Sequence, residues 1–147
     1  MIVGNIESLA YIIPELVLTL GVVVIFLADI KVSSKERLGD VALIVAGLAL
    51  LAVARSGRWA DAILFSRMIV HDPFALFFKA LFALSCLAAV WMSLGSREIA
   101  RVSQGEYYAL LLASTLGMFF MACASNLLMA YLSLEFVSLT SYVLSGY

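Results

Sequence analysis

The sequence predicts an all-α, polytopic membrane protein with five transmembrane helices, and two observations carry that prediction. Of 147 residues, 65% are hydrophobic and only 13% charged, against roughly 25% charged in an ordinary soluble domain; mean hydropathy is +1.10. The apolar residues are also gathered into runs near the length that crosses the roughly 30 Å hydrocarbon core of a bilayer at about 1.5 Å per helical residue. These runs are residues 9–28, 38–54, 73–94, 106–125 and 127–146, read as a single membrane domain, 1–147, with no soluble domain, sequence repeat or low-complexity tract. The formal net charge is −1 and nine Lys and Arg are spread singly, so no basic block addresses nucleic acid.

Each element follows from local chemistry. Residues 1–8 carry no Lys or Arg and no cleavage pattern follows the first apolar run, which reads as a retained span and not a signal peptide. Pro14 suits a first helical turn, and Glu15 there complements the positive end of the helix dipole, a structural role. Residues 29–40 are polar and mixed in sign, a solvated turn. In the second span Ala42, Ala46, Gly47 and Ala49 let a neighbouring backbone approach. The connection 55–72, assigned to the periplasmic side, alternates at Ile63, Phe65, Arg67 and Ile69, which predicts extended or hairpin structure. His71 is the only histidine; with no second His or Cys beside it, it reads as an exposed or cap-region residue, and no metal site is predicted.

Asp72-Pro73 marks a helix start, with Asp capping free N–H groups and Pro in the first turn. Lys79 lies about 9 Å further along the axis. Its stem is expected to snorkel the ammonium back to the interface; the alternative is an inward orientation, paired with a carboxylate. Residues 95–105 form a short polar loop, Tyr107 and Tyr108 sit as interfacial aromatics, and Ser114, Thr115 and Gly117 give the fourth span a zone for tight packing. Ser125-Asn126 is so short a turn that the fourth and fifth spans must be antiparallel neighbours. Cys86 and Cys123 lie in apolar runs as small buried hydrophobes, and two isolated cysteines cannot supply the usual four ligands of an iron–sulfur cluster.

The candidate functional residue is Glu135, the ninth residue of the last span, and hence about 12 Å along its axis. A charge near mid-membrane costs on the order of 2.5–3.5 kcal/mol on insertion scales, which invites a functional reading. Tyr131, Glu135, Ser138, Tyr142 and Ser145 share one narrow helical stripe, expected to face other helices or a hydrated cavity. Tyr131, Ser138, Tyr142 and Lys79 are the candidate supporting groups. Lys31, Lys35, Arg37, Arg97 and Arg101 fall on one side of the membrane, and Arg55, Arg58 and Arg67 on the other. By the positive-inside rule the N-terminus is outside.

Gly105 to Tyr147, GEYYALLLASTLGMFFMACASNLLMAYLSLEFVSLTSYVLSGY, resembles the fourth and fifth transmembrane helices of subunit N of the proton-pumping NADH-quinone oxidoreductase, respiratory complex I, a family related to cation/proton antiporter subunits. The Pro14–Leu16 PEL and His71–Lys79 HDPFALFFK segments fit as well, so the likeness runs along nearly the whole chain. It implies an antiporter-like bundle of about fourteen helices in the bacterial inner (plasma) membrane, multi-pass, with other membrane subunits of the respiratory complex as partners. It implies that Glu135 transfers protons, paired with a lysine on the seventh helix. NADH, FMN, iron–sulfur clusters and quinone are then expected in other subunits, with no cofactor and no redox centre in this chain. The sequence departs from the family by stopping after the fifth span, so it reads as an N-terminal fragment that is not competent for transport alone. Without that lysine, desolvation is expected to favour the neutral form of Glu135. The alternatives are a subunit of a cation/proton antiporter or membrane-bound hydrogenase, and a non-transporting structural membrane protein.

Overall fold

A computed structural model describes residues 5–31, 36–59, 61–65, 67–94 and 104–146. The elements are α1 (Asn5–Tyr11), α2 (Ile13–Lys31), α3 (Glu36–Ser56), β1 (Ala62–Leu64), β2 (Ile69–His71), α4 (Pro73–Ser93), α5 (Gln104–Ala122) and α6 (Leu127–Ser145). Among the described residues, α2 to α6 are the five helices long and apolar enough to cross a membrane. The first apolar run is broken near its start. Pro14 lacks the N–H that would bond the Ala10 carbonyl, and its ring would clash there. The chain therefore turns at Ile12, leaving α1 as a separate short helix ahead of the span.

The connection between α3 and α4 forms an antiparallel hairpin, with Ala62 opposite His71, Ile63 opposite Val70 and Leu64 opposite Ile69. Its turn places two non-glycine residues in the left-handed region, Phe65 at φ 48° and Arg67 at φ 71°, a conformation disfavoured for side chains with a Cβ. The outer strand β2 is also paired. Val70 donates its N–H to the Cys123 carbonyl at 2.8 Å, and Ser125 donates to the Met68 carbonyl at 2.9 Å. This pairing draws residues 123–125 out of the helix, so α5 ends at Ala122 and not at 125.

Side-chain caps start α4 and α6. Asp72 Oδ1 accepts the Ala75 N–H at 2.7 Å with Pro73 in the first turn of α4, and Asn126 Oδ1 accepts the Met129 N–H at 2.8 Å at the start of α6. Each cap satisfies a donor that the helix itself leaves free.

Helices α2, α3, α4 and α5 form the bundle. α2 packs chiefly on α5 and α3, α4 packs on α3 and α5, and α3 also meets α5, so α2 and α4 occupy opposite corners. Ala42, Ala46, Ala49 and Val53 line the inner face of α3, small residues at spacings of four, three and four that allow close approach. Gly47 is not part of that contact: a Cβ there would come no nearer than 4.0 Å to Leu87. Leu18, Ile25, Val90, Leu112 and Phe119 fill the centre. α5 is the central helix, half buried within this chain, while only 11% of the α6 span is buried. α6 packs on α5 through a face that includes Ser133 and Thr140. Gly117 permits that contact, since a Cβ there would meet Val137 Cγ2 at 2.7 Å.

Candidate functional site

Two places hold the charged residues that the sequence singled out inside a span, Lys79 and Glu135. The first lies at the hairpin end. Among the described residues, Glu15 and Lys79 are the only buried acidic or basic side chains apart from His71, at 1% and 2% exposure. The Lys79 ammonium meets Glu15 Oε1 at 2.5 Å. The inward-facing stripe of α4 is Ala75, Lys79, Ala83, Cys86, Val90 and Ser93, spaced by three and four, so helical period alone places Lys79 on the packed face. A helical side chain leans toward the N-terminus of its helix. The four-carbon stem of Lys79 therefore runs back toward the hairpin, to the level of Glu15 in the first turn of α2. The ammonium moves toward the membrane boundary as expected of a snorkelling lysine, but it ends inside the bundle on a carboxylate and not in the interface.

Burying two charges costs several kcal/mol per ion, which their attraction offsets only with close geometry and further hydrogen bonds. Here the geometry is close and the further bonds are few. Neither Glu15 oxygen accepts a conventional hydrogen bond among the described residues, so Oε2 is left with none and Oε1 has only the Lys79 contact. The Lys79 and Glu15 charges are also felt at Cys123, the residue that the β2 pairing holds in place.

His71 is buried at the same end of the bundle. It is 2% exposed, not the exposed residue expected from its place at a loop end, because β2 turns it inward beneath the hairpin with Ala62 and Leu64. Its Nε2 lies 3.1 Å from the Ser56 carbonyl. A carbonyl only accepts, so Nε2 carries the proton and Nδ1 is the acceptor in the neutral ring. Tyr11 meets the imidazole edge-on at 5.2 Å and Trp59 at 4.8 Å, tying α1 and the end of α3 to the hairpin. Burial pushes the His71 pKa below the usual histidine value, opposed by the Ser56 carbonyl; Lys79 lowers it further, and Glu15 and Asp61 raise it.

The second place is the outer face of α6. Glu135 is exposed, as are Tyr131 at 56% and Tyr142 at 72%; Ser138 is partly covered and Ser145 is exposed. Among the described residues the stripe therefore faces no other helix, contrary to the expectation from its polarity. α6 packs through Ser133 and Thr140, and at 100° per residue Glu135 lies about 200° around the helix from Ser133. Tyr131 and Glu135, four residues apart, share this exposed face and interact electrostatically. The structure takes Lys79 elsewhere, to Glu15. The Ser145 hydroxyl is spent on the Tyr142 carbonyl at 2.8 Å, as Ser114 and Thr115 of α5 are spent on Leu111.

Glu15 is the residue that sequence reasoning undervalued. A signal was present: α2 and α4 are odd-numbered spans that enter from the same side, each with one charge near that end, of opposite sign. Among the described residues no three His, Cys, Asp or Glu side chains gather as a metal site.

Comparison with known proteins gives the family. No protein-family model matches the chain. It is 40% identical over 148 residues to NADH-quinone oxidoreductase subunit N of Anaeromyxobacter sp. (strain Fw109-5), covering 97% of this chain and 28% of that relative. It is 36% identical over 144 residues to subunit N of Chlorobium chlorochromatii, covering 95% and 28%. It is 34% identical over 136 residues to NAD(P)H-quinone oxidoreductase subunit 2 of Microcystis aeruginosa, covering 91% and 26%. The chain thus spans little more than a quarter of the length of the curated relatives it matches. Over these residues, with five apolar helices in the order the resemblance implied, the chain belongs to the NADH-quinone oxidoreductase subunit N family.

Proposed function

We propose that this chain is part of a proton-translocating membrane subunit of an NADH-quinone oxidoreductase, in which quinone reduction elsewhere in the complex drives proton movement through Glu135. The observation that carries the reading is the position of that carboxyl, halfway along α6 on a face that the other helices here leave uncovered. A carboxylate at that depth is not stable against acyl chains. It calls for cover by further helices bearing a partner, and the relatives, more than three times as long, have the length to provide them. Tyr131 supports the site from one turn away, and the bundle of α2 to α5 serves as the rigid support on which α6 presents the group. With a cation approaching and leaving, such a carboxyl changes protonation state at low cost. NADH, flavin, iron–sulfur and quinone chemistry belong to other subunits in this reading, as partners in the plasma membrane, with the N-terminus and hairpin outside.

Replacing Glu135 by Gln in the full-length subunit within its complex tests the proposal. Proton translocation per electron is expected to fall about tenfold or more, the size of a lost acid–base group, with assembly intact. Unchanged pumping with normal assembly would assign the glutamate to packing alone.

A further inference from the structure

The mechanism proposed above uses neither Glu15, Lys79 nor His71, yet among the described residues these are the buried acidic and basic side chains. We infer that Glu15, Lys79 and His71 form a second proton-exchange site, at the hairpin end, in which His71 carries protons between the hairpin surface and the Glu15 carboxylate.

The geometry supplies each part. Glu15 has one oxygen on the Lys79 ammonium and another with no hydrogen-bond donor among the described residues, in a side chain that is almost fully buried. That second oxygen is an acceptor in wait. A pair serving only to fix packing would be expected to have its remaining lone pairs satisfied. His71 sits at the junction of hairpin and bundle with Nε2 committed to Ser56, which leaves Nδ1 as the atom that takes up a proton. The groups that bear on the imidazole are Lys79 from α4, Glu15 from α2 and Asp61 ahead of β1; Cys123, after α5, senses the same Lys79 and Glu15 charges.

The transfer balances simply. A proton from the hairpin side binds Nδ1, giving an imidazolium; the N–H bond then breaks as an O–H bond forms on Glu15, with water between the two groups relaying the proton. The imidazole returns to neutral, the carboxylate becomes an acid, and Lys79 loses its counter-ion and is released to move. The charges also limit the load to one proton. While Glu15 is ionised it favours the imidazolium, and once Glu15 is neutral the uncompensated Lys79 disfavours it. Glu135 plays no part, so this inference stands or falls apart from the role proposed for α6.

Time-resolved infrared spectroscopy of the full-length protein in lipid vesicles tests it, following the carboxylic-acid C=O stretch after acidification of the hairpin side. A band is expected that is lost in Glu15→Gln, retained in Glu135→Gln and shifted but not lost in Glu15→Asp, which keeps the charge if Glu15→Gln does not fold. In His71→Gln, whose amide still donates to Ser56, the band is expected to rise at least about tenfold more slowly to the same final amplitude. A Glu15 that stays ionised throughout, or a rise equally fast without His71, would overturn the inference.

Discussion

Glu15 and Glu135 are the same side chain placed in spans of similar composition, and the bundle treats them in opposite ways. Glu15 enters a stripe with Pro14, Leu18, Gly21 and Ile25 that packs inward, and meets a lysine sent across from the opposite corner. Glu135 sits on a helix that packs mainly on α5, on the side away from it. The difference teaches that intramembrane charge by itself does not say how a residue is used. What matters is whether the fold within reach supplies the counter-charge: at the hairpin end it does, and on α6 the described residues do not.

The contrast breaks most visibly at Lys79. Lys79→Met strands a buried carboxylate, and a loss of about 3–5 kcal/mol is expected in unfolding measured in mixed micelles. Combining it with Glu15→Leu is expected to recover most of that loss, since two apolar side chains replace two charges. Glu135→Gln is the counterpart, with less than about 1 kcal/mol expected, because the group is exposed and has no ionic partner among the described residues. A large loss there would erase the distinction between the two sites.

Smaller effects sharpen the hairpin end. Asp72→Ala removes the α4 cap and is expected to cost about 1 kcal/mol by the same assay. His71 adds a pH dependence of known sign. Its folded-state pKa is depressed by burial, so below about pH 6.5 the unfolded chain takes up a proton that the folded one resists. Stability is therefore expected to fall as pH drops from that value toward the lowered one, and His71→Gln is expected to remove that part of the slope in titrated unfolding curves.

Much of this architecture was legible before any coordinates, because in a bilayer hydropathy and helix length are nearly the same constraint. The alternation at Ile63, Phe65, Arg67 and Ile69 is realised as a hairpin, and Asp72-Pro73 as a capped helix start. Legibility ended where residues far apart in sequence meet. Lys79 and Glu15 lie on helices at opposite corners, and no local pattern states which corners a side chain can span. His71 looked exposed because the hairpin register that turns it inward depends on pairing with Cys123 and Ser125. The polar stripe of α6 was readable, but its facing was not, since that depends on which side of α6 meets α5.

The central claim is that the Glu135 face is covered by protein and not by lipid in the complete subunit. A nitroxide label at position 135 of the full-length protein in bilayers measures this by collision with lipid-dissolved oxygen, with position 44 on the exposed face of α3 as the reference. Low oxygen accessibility is expected at 135 beside high accessibility at 44. Equal, lipid-like accessibility at the two positions would contradict it.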